Sequence, residues 1–375
     1  MPEPSDTVPD AATQDLDALL ALAAERDASD LHLSAGRPPV LRIDGDLVPT
    51  DRPALGAEAV ARLADAVLSE GDRAALAERG QAEVSRGLPD GHRFRISVYR
   101  QRGRLSLAVR RVSRTIPSFG DLHLPAEALE RLCRAWQGLV IFTGVTGTGK
   151  STSIAACLDW IAAHRRCHIV TIEDPIEYLL ADREAIVDQR EVGTDVPSYE
   201  VAMASLLRAD PDVVLVGEMR SAETAEGALR AAETTRLVFT TTHAMTAPGA
   251  VRRVLNLFDE RQRRLVREAL ASNLVGVVCQ RLVSAADPNV GRVPATEILV
   301  ATPSVRAAIR AGETERLGDL ITAGASDGMH DLTQDLARLV REEWIQPAAA
   351  YQVAPNPEAL KTAIRGIHLR KGTVR

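Results

Sequence analysis

Apolar positions recur at helical spacing at Leu16, Leu19, Leu20 and Ala23, and the pattern then shortens to strand-like runs between Leu31 and Val48. Asp44-Gly45 lies between Leu41-Arg42-Ile43 and Leu47-Val48 and predicts a hairpin turn. Helical spacing returns over residues 57–68, and Pro89-Asp90-Gly91 separates a run ending at Leu88 from a strand over Arg93–Gln101. There Phe94, Ile96 and Val98 alternate with Arg93, Arg95 and Ser97. The next run alternates Leu105, Leu107 and Val109 with Arg104, Ser106, Ala108 and Arg110. A period of two predicts one face on a core and a basic face opposite.

Residues 113–125 hold Pro117 and Pro125 and read as a linker. Beyond them strand and helix patterns alternate, which predicts a parallel sheet covered on both faces. The expected strands are 139–143, 168–172, 213–216 and 237–241, and the expected helices 150–163, 198–208, 222–234 and 261–271. Residues 302–367 read as mostly helical and amphipathic, and no internal repeat is visible. The division is a disordered leader (1–13), an α+β domain (14–112), a linker (113–124), an α/β domain (125–367) and a basic tail (368–375).

Length fits this two-domain reading: 375 residues exceed one ordinary compact domain. Aromatics are only 3%, so the cores must rest on Leu, Val, Ile and Ala. A net charge of −6 argues against a protein built chiefly to grip nucleic acid. Cys133, Cys157, Cys167 and Cys279 show no C-x-x-C spacing and read as small buried hydrophobes in a reducing compartment, with no structural zinc. The N-terminus has no charged-then-apolar signal pattern, and no apolar run reaches the ~20 residues that span a bilayer. A cytoplasmic protein that meets membranes only through partners is expected.

The chemistry concentrates after residue 143. Gly144-Val145-Thr146-Gly147-Thr148-Gly149-Lys150-Ser151-Thr152 is a complete G-x-x-x-x-G-K-S loop between an expected strand and helix. Its glycines let backbone N–H groups curl inward at phosphate oxygens, and the helix N-terminus adds partial positive charge. Lys150 would reach the β- and γ-phosphates of ATP, and the Ser151 hydroxyl would ligate Mg²⁺. The strand Val213–Val216 leads into Gly217-Glu218 in the manner of a Walker B element. Gly217 occupies the position that often carries the metal-side carboxylate, which leaves Glu218 as the base for the attacking water. The cluster Thr171-Ile172-Glu173-Asp174-Pro175-Ile176-Glu177 also ends a strand, and Glu173 or Asp174 could supply the missing charge; a turn cap before proline is the other reading.

In order and spacing these segments resemble the secretion ATPases, and within them the type IV pilus retraction ATPases. The resemblance runs from about residue 16 to residue 367. It rests on Ala28-Ser29-Asp30-Leu31-His32-Leu33, the phosphate loop, Ile172–Glu177, Gln189-Arg190-Glu191-Val192-Gly193, Asp210–Arg220, and Ala231-Ala232-Glu233-Thr234 to Thr242-His243-Ala244. It implies a PAS-like N-terminal domain, a RecA-like P-loop NTPase domain, ATP bound between them, and a homohexameric ring that couples hydrolysis to pilin disassembly. The implied partners are an inner-membrane pilus platform protein and a paralogous retraction ATPase, at the cytoplasmic face of the inner membrane. Assembly-type relatives usually carry a further N-terminal domain and often a tetracysteine zinc element; neither is present, which favours retraction.

The same resemblance implies that Arg95, Arg110 and Arg111, and less so Arg93, reach the nucleotide; a solvated basic sheet face accounts for them equally. It also gives His243 a functional place. Where the family begins its His box with Thr-Gly-His, this chain has Thr234-Thr235-Arg236, and Arg236 could keep a positive charge near the γ-phosphate or a neighbouring subunit. Ser304–Arg310 loosely matches an output helix of retraction ATPases, and the tail from Arg365 reads as a solvated basic terminus or a contact for acidic lipid or a platform protein. The competing readings are a weakly hydrolysing accessory subunit, a secretion or pilus-assembly ATPase, and a nucleic-acid motor.

Overall fold

The computed structural model describes residues 11–234 and 236–366, so the basic tail and most of the expected leader lie outside the described residues. The chain divides into two units after Arg114.

The first unit runs α1 (Ala11–Glu25), β1 (Asp30–Ser34), β2 (Val40–Ile43), β3 (Asp46–Pro49), α2 (Ala57–Asp65) and α3 (Glu70–Arg79). It ends with β4 (Gln81–Gly87), β5 (Arg93–Gln101) and β6 (Arg104–Arg111). The strands form one antiparallel sheet in the order β3-β2-β1-β6-β5-β4. Alternation places Phe94, Ile96, Val98, Leu107 and Val109 in a core with Leu16, Leu20 and Val60. Asp44 and Gly45 both take positive φ, 49° and 91°, as the two-residue hairpin turn requires. One boundary is corrected: residues 11–13, expected in the leader, are already helical.

The second unit continues with α4 (Ala126–Cys133), β7 (Gly138–Thr143), α5 (Lys150–His164), β8 (His168–Glu173) and β9 (Ile186–Glu191). Next come α6 (Tyr199–Leu206), β10 (Val213–Val216), α7 (Ala222–Glu233), β11 (Leu237–Thr242), α8 (Ala247–Asn256) and α9 (Glu260–Asn273). Then follow β12 (Leu274–Ser284), β13 (Arg292–Val300), α10 (Pro303–Ala311) and α11 (Leu317–Ala323). The C-terminal helices are α12 (Leu332–Arg341), α13 (Pro347–Val353) and α14 (Pro357–Ile364).

Its seven-stranded sheet has the order β13-β12-β7-β11-β10-β8-β9, parallel except for the β12–β13 pair. Both faces are covered, and the strands alternate between two cores. Leu139 and Ile141 join the core built with α6 to α9, whereas Val140 and Phe142 join the core built with α4 and α5. This is why the strands read as continuous apolar runs rather than as half-polar ones.

Two readings change. The β12–β13 hairpin, β9 and α8 were not among the expected elements; β12 is an apolar run whose period cannot separate strand from buried helix. The expected linker is also not free chain: Phe119 and Leu124 are buried with Leu129 and Phe142, because prolines break a ladder without preventing a segment from packing.

All three tryptophans, Trp136, Trp160 and Trp344, lie in this unit, so their fluorescence reports its unfolding. Phe142 is fully buried on β7, an interior strand of the sheet, and Phe142→Ala should cost about 3–5 kcal/mol by denaturant titration of tryptophan fluorescence. A cost below about 1 kcal/mol would mean that the sheet interior is not tightly packed.

Candidate nucleotide site

Four parallel strands, β7, β8, β10 and β11, end along one edge of the sheet. The chain leaving β7 forms Gly144 to Gly149 and enters α5, with Gly149 as N-cap at φ 82°. Two glycines are required by space as well as by conformation. A Cβ on Gly144 would stand 2.5 Å from the Gln280 carbonyl oxygen, and one on Gly149 would stand 2.9 Å from Gln280 Nε2. Gly147, at φ 81°, has open space and is needed for its backbone alone.

Lys150 is 8% exposed, and its Nζ donates to the carbonyls of Gly144 at 2.8 Å and Val145 at 3.0 Å. Burial pulls the ammonium below its ordinary range, while the carboxylates of Glu218 and Glu177 hold it up. Thr148 Oγ1 closes the loop by donating to the Val145 carbonyl at 2.9 Å.

Glu218 follows β10. His243 Nε2, just past β11, donates to Glu218 Oε1 at 3.0 Å, and Arg220 Nε donates to Oε2 at 2.8 Å. The same imidazole faces the Gly144 carbonyl through Nδ1 at 3.3 Å. The carboxylate is therefore held between a loop residue of its own strand and the strand that adjoins the phosphate loop.

Glu173 ends β8, beside Gly217. Its Oε1 accepts from Thr171 Oγ1 at 2.7 Å and Gln189 Nε2 at 3.0 Å, and burial pushes its carboxyl above the usual range. The following segment is anchored by the Ile176 N–H, which donates to buried Glu191 at 2.9 Å. Gly217 has a steric cause as well: a Cβ there would meet the Tyr199 hydroxyl at 2.6 Å. Burial also raises the Tyr199 phenol, which stays protonated at neutral pH.

These groups enclose a cavity of ≈ 590 Å³, within the usual range for a small-molecule site. Gly147, Gly149, Lys150, Ser151 and Thr152 line it, with Glu173, Asp174, Glu218 and His243 across from them. Ser151, Glu173 and Asp174 are the groups that could hold a cation. Among the described residues no three His, Cys, Asp or Glu side chains form a metal cage.

Arg95, Arg110 and Arg111 belong to the first unit, where they pair with Glu83, Asp30 and Asp27. Of the two places expected for Arg236, the one near the γ-phosphate of its own chain is corrected. Arg236 precedes β11, whereas His243 follows that strand, so six strand residues, about 20 Å at the usual rise, separate it from the phosphate loop of its own chain. Its guanidinium donates to the Thr234 carbonyl at 2.6 Å. Gln280, Tyr199 and Arg220 were missed as site residues; the available signals were an amide, Gln280, inside the apolar run of β12, and the place of Arg220 two residues after Glu218.

The family described as type II/IV secretion system protein matches residues 10–317. The chain is 37% identical to the type IV pilus retractation ATPase PilT of Pseudomonas aeruginosa, covering 92% of this chain and 99% of that protein. It is also 37% identical to the type IV pilus ATPase PilU of the same organism, over 92% of this chain and 90% of that one. A crystal structure of the pilus retraction motor PilT with bound ADP superposes with a TM-score of 0.81 at 40% identity, covering 92% and 98% of the two chains.

Two outcomes follow from the geometry. A carboxyl whose folded pKa is raised stabilises below its unfolded pKa, and that contribution is lost as pH rises through the folded value. Glu173→Gln should therefore gain thermal stability relative to the wild type as pH rises above the ordinary carboxyl range, and a pH-independent difference in Tm would contradict the upward shift. Arg236→His should leave the KM for ATP within about twofold, as expected for a side chain remote from the site. A larger change in KM would return this position to the nucleotide.

Proposed function

The chain belongs to the type II/IV secretion system protein family, among its type IV pilus retraction ATPases, and we propose that it is an ATP-hydrolysing motor subunit powering pilus retraction. The observation that carries the catalytic part is the link from Glu218 through His243 to the Gly144 carbonyl, which joins base and phosphate loop in one network.

In this reading the loop N–H groups and Lys150 bind the β- and γ-phosphate oxygens. Glu218 takes a proton from the water whose oxygen bonds to the γ-phosphorus, while the bond from phosphorus to the bridging oxygen breaks and ADP leaves. His243 and Arg220 hold Glu218 in place. Ser151, Glu173 and Asp174 would hold Mg²⁺, which when bound neutralises charge on the phosphate oxygens. Arg95, Arg110 and Arg111, released from their carboxylate partners, are our candidates for neutralising charge that develops during transfer. We read the first unit as the family's PAS-like domain and the working state as a homohexamer. We place it at the cytoplasmic face of the inner membrane, acting on a platform protein and beside a paralogous ATPase. No helix among the described residues is long and apolar enough to cross a membrane.

The accessory-subunit reading draws its support from Arg236, which stands before β11 and away from the phosphate loop of its own chain, whereas intact Lys150 and Glu218 favour the motor. Steady-state hydrolysis by the purified oligomer tests the motor reading. Lys150→Ala should abolish turnover, and Glu218→Gln should lower kcat by ~10²–10⁴ while ADP still binds. Wild-type turnover no higher than that of the two variants would overturn it.

A further inference from the structure

We propose that Gln280 is the positioning residue of the phosphate cradle: its carboxamide fixes the Thr148–Gly149 peptide so that the Gly149 N–H is aimed at the nucleotide phosphates. The inference rests on the nucleotide-binding reading above.

Gln280 is 2% exposed and sits on β12, the strand beside β7. Its Nε2 donates to the Thr148 carbonyl at 2.7 Å, and its Oε1 accepts from Ser153 Oγ, in the first turn of α5, at 2.9 Å. The orientation of the amide has a chemical cause. The Thr148 carbonyl can only accept, so the NH₂ must face it, which leaves the oxygen for the serine hydroxyl.

A trans peptide is planar, with its C=O and N–H pointing in opposite directions. Holding the Thr148 oxygen toward β12 therefore turns the Gly149 N–H away from β12. Gly149 lines the cavity and Thr148 does not. The absence of a Cβ at Gly149 lets the amide approach, since that atom would lie 2.9 Å from Nε2.

The support is itself backed. Opposite Gln280 on β13 stands Thr296, whose N–H donates to Asp335 Oδ2 at 2.7 Å and whose hydroxyl donates to the same oxygen at 2.9 Å. Asp335 is 2% exposed, and its other oxygen accepts from Arg338 Nε at 2.8 Å. β13, the strand paired with β12 opposite Gln280, is thus tied to α12 through buried Asp335. A flexible β12 could not hold a peptide plane; this one is fastened on both sides.

The test measures ADP binding by calorimetry, with KM and kcat for ATP, on the full chain at pH 8 and pH 6. Gln280→Glu keeps the shape but sets a carboxylate oxygen against the Thr148 carbonyl. At pH 8 it should weaken ADP binding and raise KM by at least about 10-fold. The effect on kcat should be much smaller, because the cradle binds ground state and transition state alike. At pH 6 the gap from the wild type should narrow, because a protonated carboxyl can donate to that carbonyl again.

Ser153→Ala, which introduces no charge, should raise KM by about 3-fold and serves if the glutamate variant does not fold. Affinities within twofold of the wild type in the folded variants would overturn the assignment. So would a loss confined to kcat and equal at both pH values. A wild type that binds ADP no better than Lys150→Ala would instead overturn the nucleotide reading itself, and the assignment with it.

Discussion

Everything at this site depends on strands being parallel. When β7, β8, β10 and β11 run the same way, their C-terminal ends share one edge, and the loops that follow are brought together however far apart they lie in the chain. His243 and Gly144 are 99 residues apart in sequence and 3.3 Å apart in space. Helices on both faces of the sheet close off the other routes, so the open edge is where polar chemistry can reach solvent. The apolar runs that build the sheet and the polar groups that end its strands are two consequences of one arrangement.

The charges at that edge are poised rather than settled. Burial pulls Lys150 down and Glu173 up, so each is pressed toward neutrality by its surroundings. An anion beside Lys150 and a cation beside Glu173 would each offset the desolvation, and a polyphosphate carrying a divalent ion supplies both at once. Gly217 fits the same logic. The Tyr199 hydroxyl fills the space that a side chain there would need, and the in-register neighbour on β8 places Glu173 next to it. A carboxylate that other Walker B strands carry themselves is here available one strand to the side.

What could be read in advance was what the chain encodes locally. The phosphate loop, Glu218 and the four strands of the central sheet are each contiguous, and their spacing survives translation into structure with shifts of a residue or so. Gln280 and Tyr199 were illegible for the opposite reason. Their roles come from pairing across the sheet and from the space above Gly217, neither of which has a local pattern. The hairpin of β12 and β13 was missed because a strand buried on both sides shows no alternation. Proline content suggested a linker where the chain is pinned by Phe119 and Leu124, since composition registers lost hydrogen-bond donors and not burial.

Arg236 shows how a motif read as a string can mislead. Written linearly, Thr234 to His243 is one box, and a substitution at its start reads as a substitution at the catalytic centre. Folded, the box is a strand: Leu237–Thr242 is buried along its whole length, with Arg236 at one end and His243 at the other. Only the latter end meets Glu218 and the phosphate loop. The two positions therefore belong to different environments, one at the phosphate-loop edge of the sheet and the other at the opposite edge. The departure from the family pattern at residue 236 therefore does not touch the cluster in which Glu218, His243 and the phosphate loop meet.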